Sequence, residues 1–139
     1  MQYICLYTHD KDLAESFKIF FEGKYLIRFI PDREDLREHF SSDDCQCQAL
    51  VYDAVSPTSL DVEIVHDIKQ NFTDLKVLMT YVYFEEKRSS EKFLANNVDG
   101  ILYKPYDFGE VDRRLQSLIG DKNVTGRIPE NVPQSDINL

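Results

Sequence analysis

The chain has 139 residues, of which 42% are hydrophobic and 29% charged, a size and composition that suit one domain with its own core. Asp and Glu total 25 against 16 Lys and Arg, for a formal charge of −9. That sign argues against nucleic acid or an anionic membrane surface as the main partner, because each selects a basic footprint.

The apolar pattern changes period repeatedly. Ile4–Tyr7 predicts a first strand, and Leu13, Phe17, Phe20 and Phe21 then fall on one helical face that Gly23 closes. Tyr25–Ile30 predicts a second strand, broken by Pro31 and Asp32, and Arg33–Phe40 a short exposed helix. Ala49–Tyr52 is the third apolar run, ending at Asp53, and Val62, Ile64, Val65 and Ile68 mark the helix after it. Val77–Met79 ends at Thr80, residues 84–96 predict a charged helix, and Gly100–Tyr103 is a fifth strand closed by Lys104-Pro105. Val111, Leu115, Leu118 and Ile119 form the stripe of a last helix. Short strands without alternation imply burial on both faces, hence a doubly wound parallel α/β sheet with helices on each side. Residues 1–119 make this domain; 120–139, without an aromatic residue and with Pro129 and Pro133, read as a flexible tail.

The start lacks the basic segment of a signal peptide, and no apolar run approaches the roughly 20 residues that span a bilayer. A cytoplasmic address without membrane contact is therefore expected. Three cysteines, Cys5, Cys45 and Cys47, are an odd count, so a disulfide framework is not expected. Cys45-Gln46-Cys47 is a weak metal signal without a second Cys or His pair, and reads better as small residues in a loop. The five glycines are scattered, so neither a nucleotide nor a flavin finds a phosphate-binding loop; a flavodoxin-type enzyme or cofactor binder is disfavoured on the same ground.

In an open α/β sheet the functional crevice lies at the carboxyl ends of the strands. Here those ends carry Thr8-His9-Asp10, Asp53, Thr80 and Lys104, which offer a carboxylate nucleophile, a hydroxyl donor and a cation to a phosphoryl group. The strand–helix order, Asp53 with Pro57 four residues on, Thr80, and Lys104-Pro105 together resemble the receiver domain of two-component response regulators, over about residues 2–119. The resemblance implies a five-stranded sheet of order 2-1-3-4-5. It implies that Asp53 accepts a phosphoryl group from a sensor histidine kinase and that Thr80 and Lys104 bind the phosphoryl oxygens. It further implies a Mg²⁺ ion held by an acidic pair after strand one, by Asp53 and by the backbone carbonyl of Val55. Output, and pairing into a homodimer, would use the face of helix four, strand five and helix five.

The chain departs from that pattern at three places. Thr8 and His9 stand where the acidic pair belongs, with Asp10 one position late, so Mg²⁺ is expected to bind weakly for want of hard carboxylate ligands. Tyr81 follows Thr80 where a small residue is usual, and would hinder a phosphodonor. Ile101 takes the place of the switch aromatic, with Tyr103 two residues on and on the same face of the strand.

Each residue also has a plainer reading. Asp53 can be a strand-end cap, and Lys104 its fixed ion-pair partner. His9, His39 and His66 read as polar surface residues, although a protonated His9 would replace some of the missing metal charge. Six of the eight tyrosines lie within three residues of a strand-end site, and Tyr81, Tyr83 and Tyr106 suggest a protein-contact rim. The sequence thus supports a stand-alone, non-enzymatic signalling module with Asp53 as candidate phosphoacceptor. The alternative is a pseudo-receiver that binds partner proteins without phosphorylation.

Overall fold

The computed structural model describes residues 1–42, 44–83 and 88–120. The expected tail falls outside these, as does the start of the helix expected over 84–96. Five strands, β1 (Gln2–Tyr7), β2 (Tyr25–Ile30), β3 (Ala49–Asp53), β4 (Lys76–Val82) and β5 (Gly100–Lys104), alternate with five helices, α1 (Lys11–Phe20), α2 (Arg33–His39), α3 (Ser59–Asn71), α4 (Arg88–Ala95) and α5 (Phe108–Gly120). The sheet is parallel throughout, in the order β2-β1-β3-β4-β5. This is the expected doubly wound sheet. No helix among the described residues is long and apolar enough to cross a membrane.

Local chemistry sets the helix starts. Asp10, Asp32 and Thr58 each cap a helix by accepting a backbone N–H with the side chain, and Thr58 and Asp61 satisfy each other's backbone donors as a capping box. After α1 the chain reverses through Gly23 at φ +82°, a left-handed conformation that glycine adopts without strain.

The sheet separates two apolar layers. On one face α1 and α5 supply Ala14, Phe17, Phe21, Val111, Leu115 and Leu118. On the other, α2, α3 and α4 supply Leu36, Ile64, Val65, Ile68 and Leu94, against Cys5, Tyr52, Met79 and Ile101. β3, the middle strand, is buried along its whole length, which is why its sequence shows no alternation. Phe20, expected in the core, is half exposed, and its ring packs against Phe21 and Phe108 at the rim. Lys24 and Tyr25 reach Asp112 on α5; burial and that carboxylate push the Tyr25 hydroxyl up to about 12.

Two expectations about the cysteines and histidines do not hold. Cys5 and Cys47 form a disulfide across 42 residues, with Cα atoms 6.3 Å apart. The odd cysteine count could not reveal this, because strand register alone does not make the pair: Cys5 lies beside Leu50 of β3, and Cys47, in the segment before β3, reaches Cys5 only through the path of that segment. His39 is not an exposed helix residue either. It is half-buried, with Nε2 at 3.4 Å from Cys5 Sγ, 3.3 Å from Cys45 Sγ and 3.5 Å from Cys47 Sγ. Burial, then the charge of Arg28, lowers its pKa below the ordinary imidazole value. His66 is exposed, as expected.

Candidate functional site

The residues singled out at the strand ends converge on Asp53. It is the last residue of β3 and is 7% exposed; its register partner on β4 is Thr80. Parallel pairing therefore sets the two side chains abreast. Thr80 Oγ1 donates to Asp53 Oδ1 at 2.9 Å, and Lys104 Nζ, from the end of β5, lies 2.6 Å from the same oxygen. Pro105 follows through a cis peptide bond.

The other oxygen belongs to Thr8. Its hydroxyl, fully buried, donates to Asp53 Oδ2 at 2.6 Å and accepts the backbone N–H of Asp10 at 3.1 Å. A carboxylate has about four lone-pair sites, and three of those on Asp53 are taken by Thr8 just past β1, Thr80 of β4 and Lys104 of β5. A buried carboxylate so partnered carries little desolvation penalty.

His9 and Asp10 point elsewhere. His9 Nδ1 is 2.9 Å from the carbonyl of Pro31 and Nε2 is 3.2 Å from the Tyr7 hydroxyl, so the imidazole is anchored to the turn after β2. Asp10 Oδ1 accepts the Leu13 N–H at 3.0 Å as the α1 cap. A hydroxyl at 8, an imidazole at 9 and a capping carboxylate at 10 thus stand in place of two free carboxylates, the hard oxygen ligands that Mg²⁺ takes.

A cleft of about 400 Å³ opens over Asp53, lined by Thr8, His9, Asp10, Val55, Ser56 and Lys104. Arg33 and Asp61 also line it, and sequence reasoning missed both. Arg33 Nη2 donates to Asp61 Oδ1 at 3.2 Å, and the buried Tyr52 hydroxyl donates to the same oxygen. Burial alone would raise the Asp61 pKa, but hydrogen bonds from Tyr52, Thr58 and Arg33 hold it below the usual carboxylate value. The Thr58-x-x-Asp61 spacing, a capping-box signature, was the available signal for this anchor.

Beside the cleft, the tyrosines face inward. Tyr81 is paired in register with Tyr103, both are buried, and their rings meet edge-on with centroids 5.7 Å apart. Tyr81 donates to Glu91 Oε2 of α4 at 2.9 Å, and Tyr103 donates to Glu91 Oε1. Burial first, then the Glu91 carboxylate, raises both phenol pKa values. The Tyr81 ring is thus directed at α4 and is not among the residues lining the cleft over Asp53. Ile101, fully buried, packs in the same layer. The Tyr83 ring packs at a tilt against Tyr103 with centroids 4.8 Å apart, which leaves less of the expected tyrosine rim on the surface. Pro57 leads into Thr58, the α3 cap.

No family model and no curated protein matches the chain. Solved structures do. The fold is that of response regulator receiver domains. A response regulator from Thermotoga maritima, TrrA, solved with Mg²⁺ and beryllofluoride, is 20% identical with a TM-score of 0.68, over 85% of this chain and 99% of its own. A two-component response regulator from Clostridium difficile is 18% identical, TM-score 0.72, over 88% of this chain and 99% of its own. A Francisella response regulator receiver domain is 16% identical, TM-score 0.70, over 86% and 98%.

Proposed function

We propose that the chain is a receiver-like module of a two-component phosphorelay, with Asp53 as phosphoacceptor and output by contact with other proteins. The observation that carries this reading is the convergence of Thr80 Oγ1 and Lys104 Nζ on one oxygen of Asp53, at the carboxyl edge of the central strand and in an open cleft. In the acceptor reaction an Asp53 oxygen attacks the phosphorus of a phosphohistidine on a sensor kinase. The O–P bond forms as the P–N bond breaks, and the electron pair leaves with the imidazole. Lys104 and Thr80 need only shift from the carboxylate to the incoming phosphoryl oxygens, where charge-assisted bonds stabilise the transferred group. The local donors do not suit Mg²⁺, so positive charge in the cleft comes from Lys104 and Arg33. Partners are the kinase, other signalling proteins, or a second copy through α4, β5 and α5.

A second reading, a phosphorylation-independent interaction module, is favoured by the Thr8 bond to Asp53 Oδ2: the carboxylate is already satisfied by hydroxyls and Lys104 alone. Acetyl phosphate or beryllofluoride, with and without Mg²⁺, separates the two. Shifts of strand-end amide resonances that Asp53→Asn abolishes support the phosphoacceptor. Unchanged spectra at millimolar Mg²⁺ support the interaction module and sink the first reading.

A further inference from the structure

The three sulfurs and the imidazole described above occur in neither reading of the Asp53 site. Cys5 comes from the core of β1, His39 from the last turn of α2, and Cys45 and Cys47 from the loop before β3. All three Sγ atoms surround one ring nitrogen, His39 Nε2, at 3.3 to 3.5 Å. Hydrogen bonding alone does not account for this arrangement, because one ring nitrogen has a single donor or acceptor site. The N···S distances match metal ligation. With Zn–S near 2.3 Å and Zn–N near 2.0–2.1 Å, the N···S edge of a tetrahedron is about 3.5 Å. Cys5, His39 and Cys47 also place their ligand atoms within 4.8 Å of one another.

We propose that in the reduced chain Cys5, His39, Cys45 and Cys47 form a closed Cys3His site for a divalent thiophilic cation, with zinc the best match. Thiolate and imidazole donors select zinc over magnesium or calcium. The site ties the segment 44–48 and the end of α2 to β1, the job the Cys5–Cys47 disulfide does in the oxidised chain. Interconversion balances as follows. A dithiol reductant gives two electrons and two protons to the Cys5–Cys47 bond and becomes a disulfide itself. The metal then displaces the thiol protons of Cys5, Cys45 and Cys47 and accepts the Nε2 lone pair of His39, with no change in its own oxidation state.

The test uses the full chain, reduced with a dithiol, freed of it without air, and titrated with Co²⁺ and then Zn²⁺. One equivalent of Co²⁺ should give the intense visible bands of tetrahedral thiolate coordination, and Zn²⁺ should bleach them. His39→Ala and Cys45→Ser should each weaken Zn²⁺ binding at least tenfold, while Asp53→Asn binds as wild type, which separates this site from the strand-end cleft. Iodoacetamide should label Cys45 and Cys47 in the reduced metal-free chain and neither with Zn²⁺, the Cys5 thiol being buried in both, a readout that stands if the variants fail to fold. A reduced wild type that binds no Co²⁺, labels equally with and without Zn²⁺, or stays unfolded when Zn²⁺ is added overturns the proposal. So does binding that His39→Ala leaves unchanged in a folded variant.

Discussion

The two ends of β3 present opposite chemistry. At its carboxyl end Asp53 gathers two hydroxyls and an ammonium on hard oxygen, from Thr8 just past β1, Thr80 of β4 and Lys104 at the end of β5. Just before its amino end Cys47 gathers soft sulfur and an imidazole from β1, α2 and a loop. The first site is built on the carboxyl edge of the sheet: register sets Thr80 abreast of Asp53, and Thr8 and the long Lys104 side chain reach in from the ends of β1 and β5. The second requires the α2–β3 connection to fold back onto β1. Sites made by regular pairing survive drift in the rest of the sequence; sites made by a loop depend on a covalent or metal tie.

That contrast can be broken experimentally, beginning at the sulfur end. Reducing the Cys5–Cys47 disulfide in metal-free chain should lower unfolding free energy by about 4 kcal/mol, the loop-closure value for a span of this length, measured by urea denaturation with and without reductant. A loss under about 1 kcal/mol would mean that the loop holds its place without the tie. At the carboxylate end Lys104→Ala should cost about 2–3 kcal/mol, because Asp53 keeps only hydroxyl donors for a buried charge; a neutral result would make the ion pair dispensable.

Next in size is the Asp61 anchor. Asp61→Ala should cost about 2 kcal/mol by stranding the buried Tyr52 hydroxyl and releasing Arg33. The folded pKa of Asp61 lies below its unfolded value. Its contribution is therefore fully present above about pH 4 and is lost as pH falls through the folded value. Asp61→Asn should flatten that acid limb of the stability curve; an unchanged limb would assign it to other carboxylates. The smallest effect is expected beside the cleft, where Tyr103→Phe removes one of the two phenols held by Glu91 and should cost about 1 kcal/mol by thermal melting.

The readable parts of the molecule follow the same division. Asp53, Thr80 and Lys104 could be placed from sequence because each ends an apolar run, and strand ends in a parallel sheet meet by construction. Thr8 and His9 could be placed too, but not their aim: Thr8 turns to Asp53 and His9 to Pro31. The Tyr81 ring follows the pleat toward α4 and Glu91, which no local pattern announces. The sulfur cluster was unreadable for a stronger reason. Its members lie at positions 5, 39, 45 and 47, and only the tertiary packing of α2 and of the segment 44–48 against β1 brings them together.

Thr8 also joins the strand-end site to the helix that follows it. Its single hydroxyl gives its proton to Asp53 and takes the N–H of Asp10, and Asp10 in turn caps α1. A β-branched side chain with restricted χ1 therefore sits between the central carboxylate and the first turn of α1. Whatever draws Asp53 Oδ2 away from Thr8 loosens a bond at the foot of that helix, so a change of occupancy at the sheet's edge would be felt as fraying at Lys11–Leu13, on the face of the molecule opposite α4.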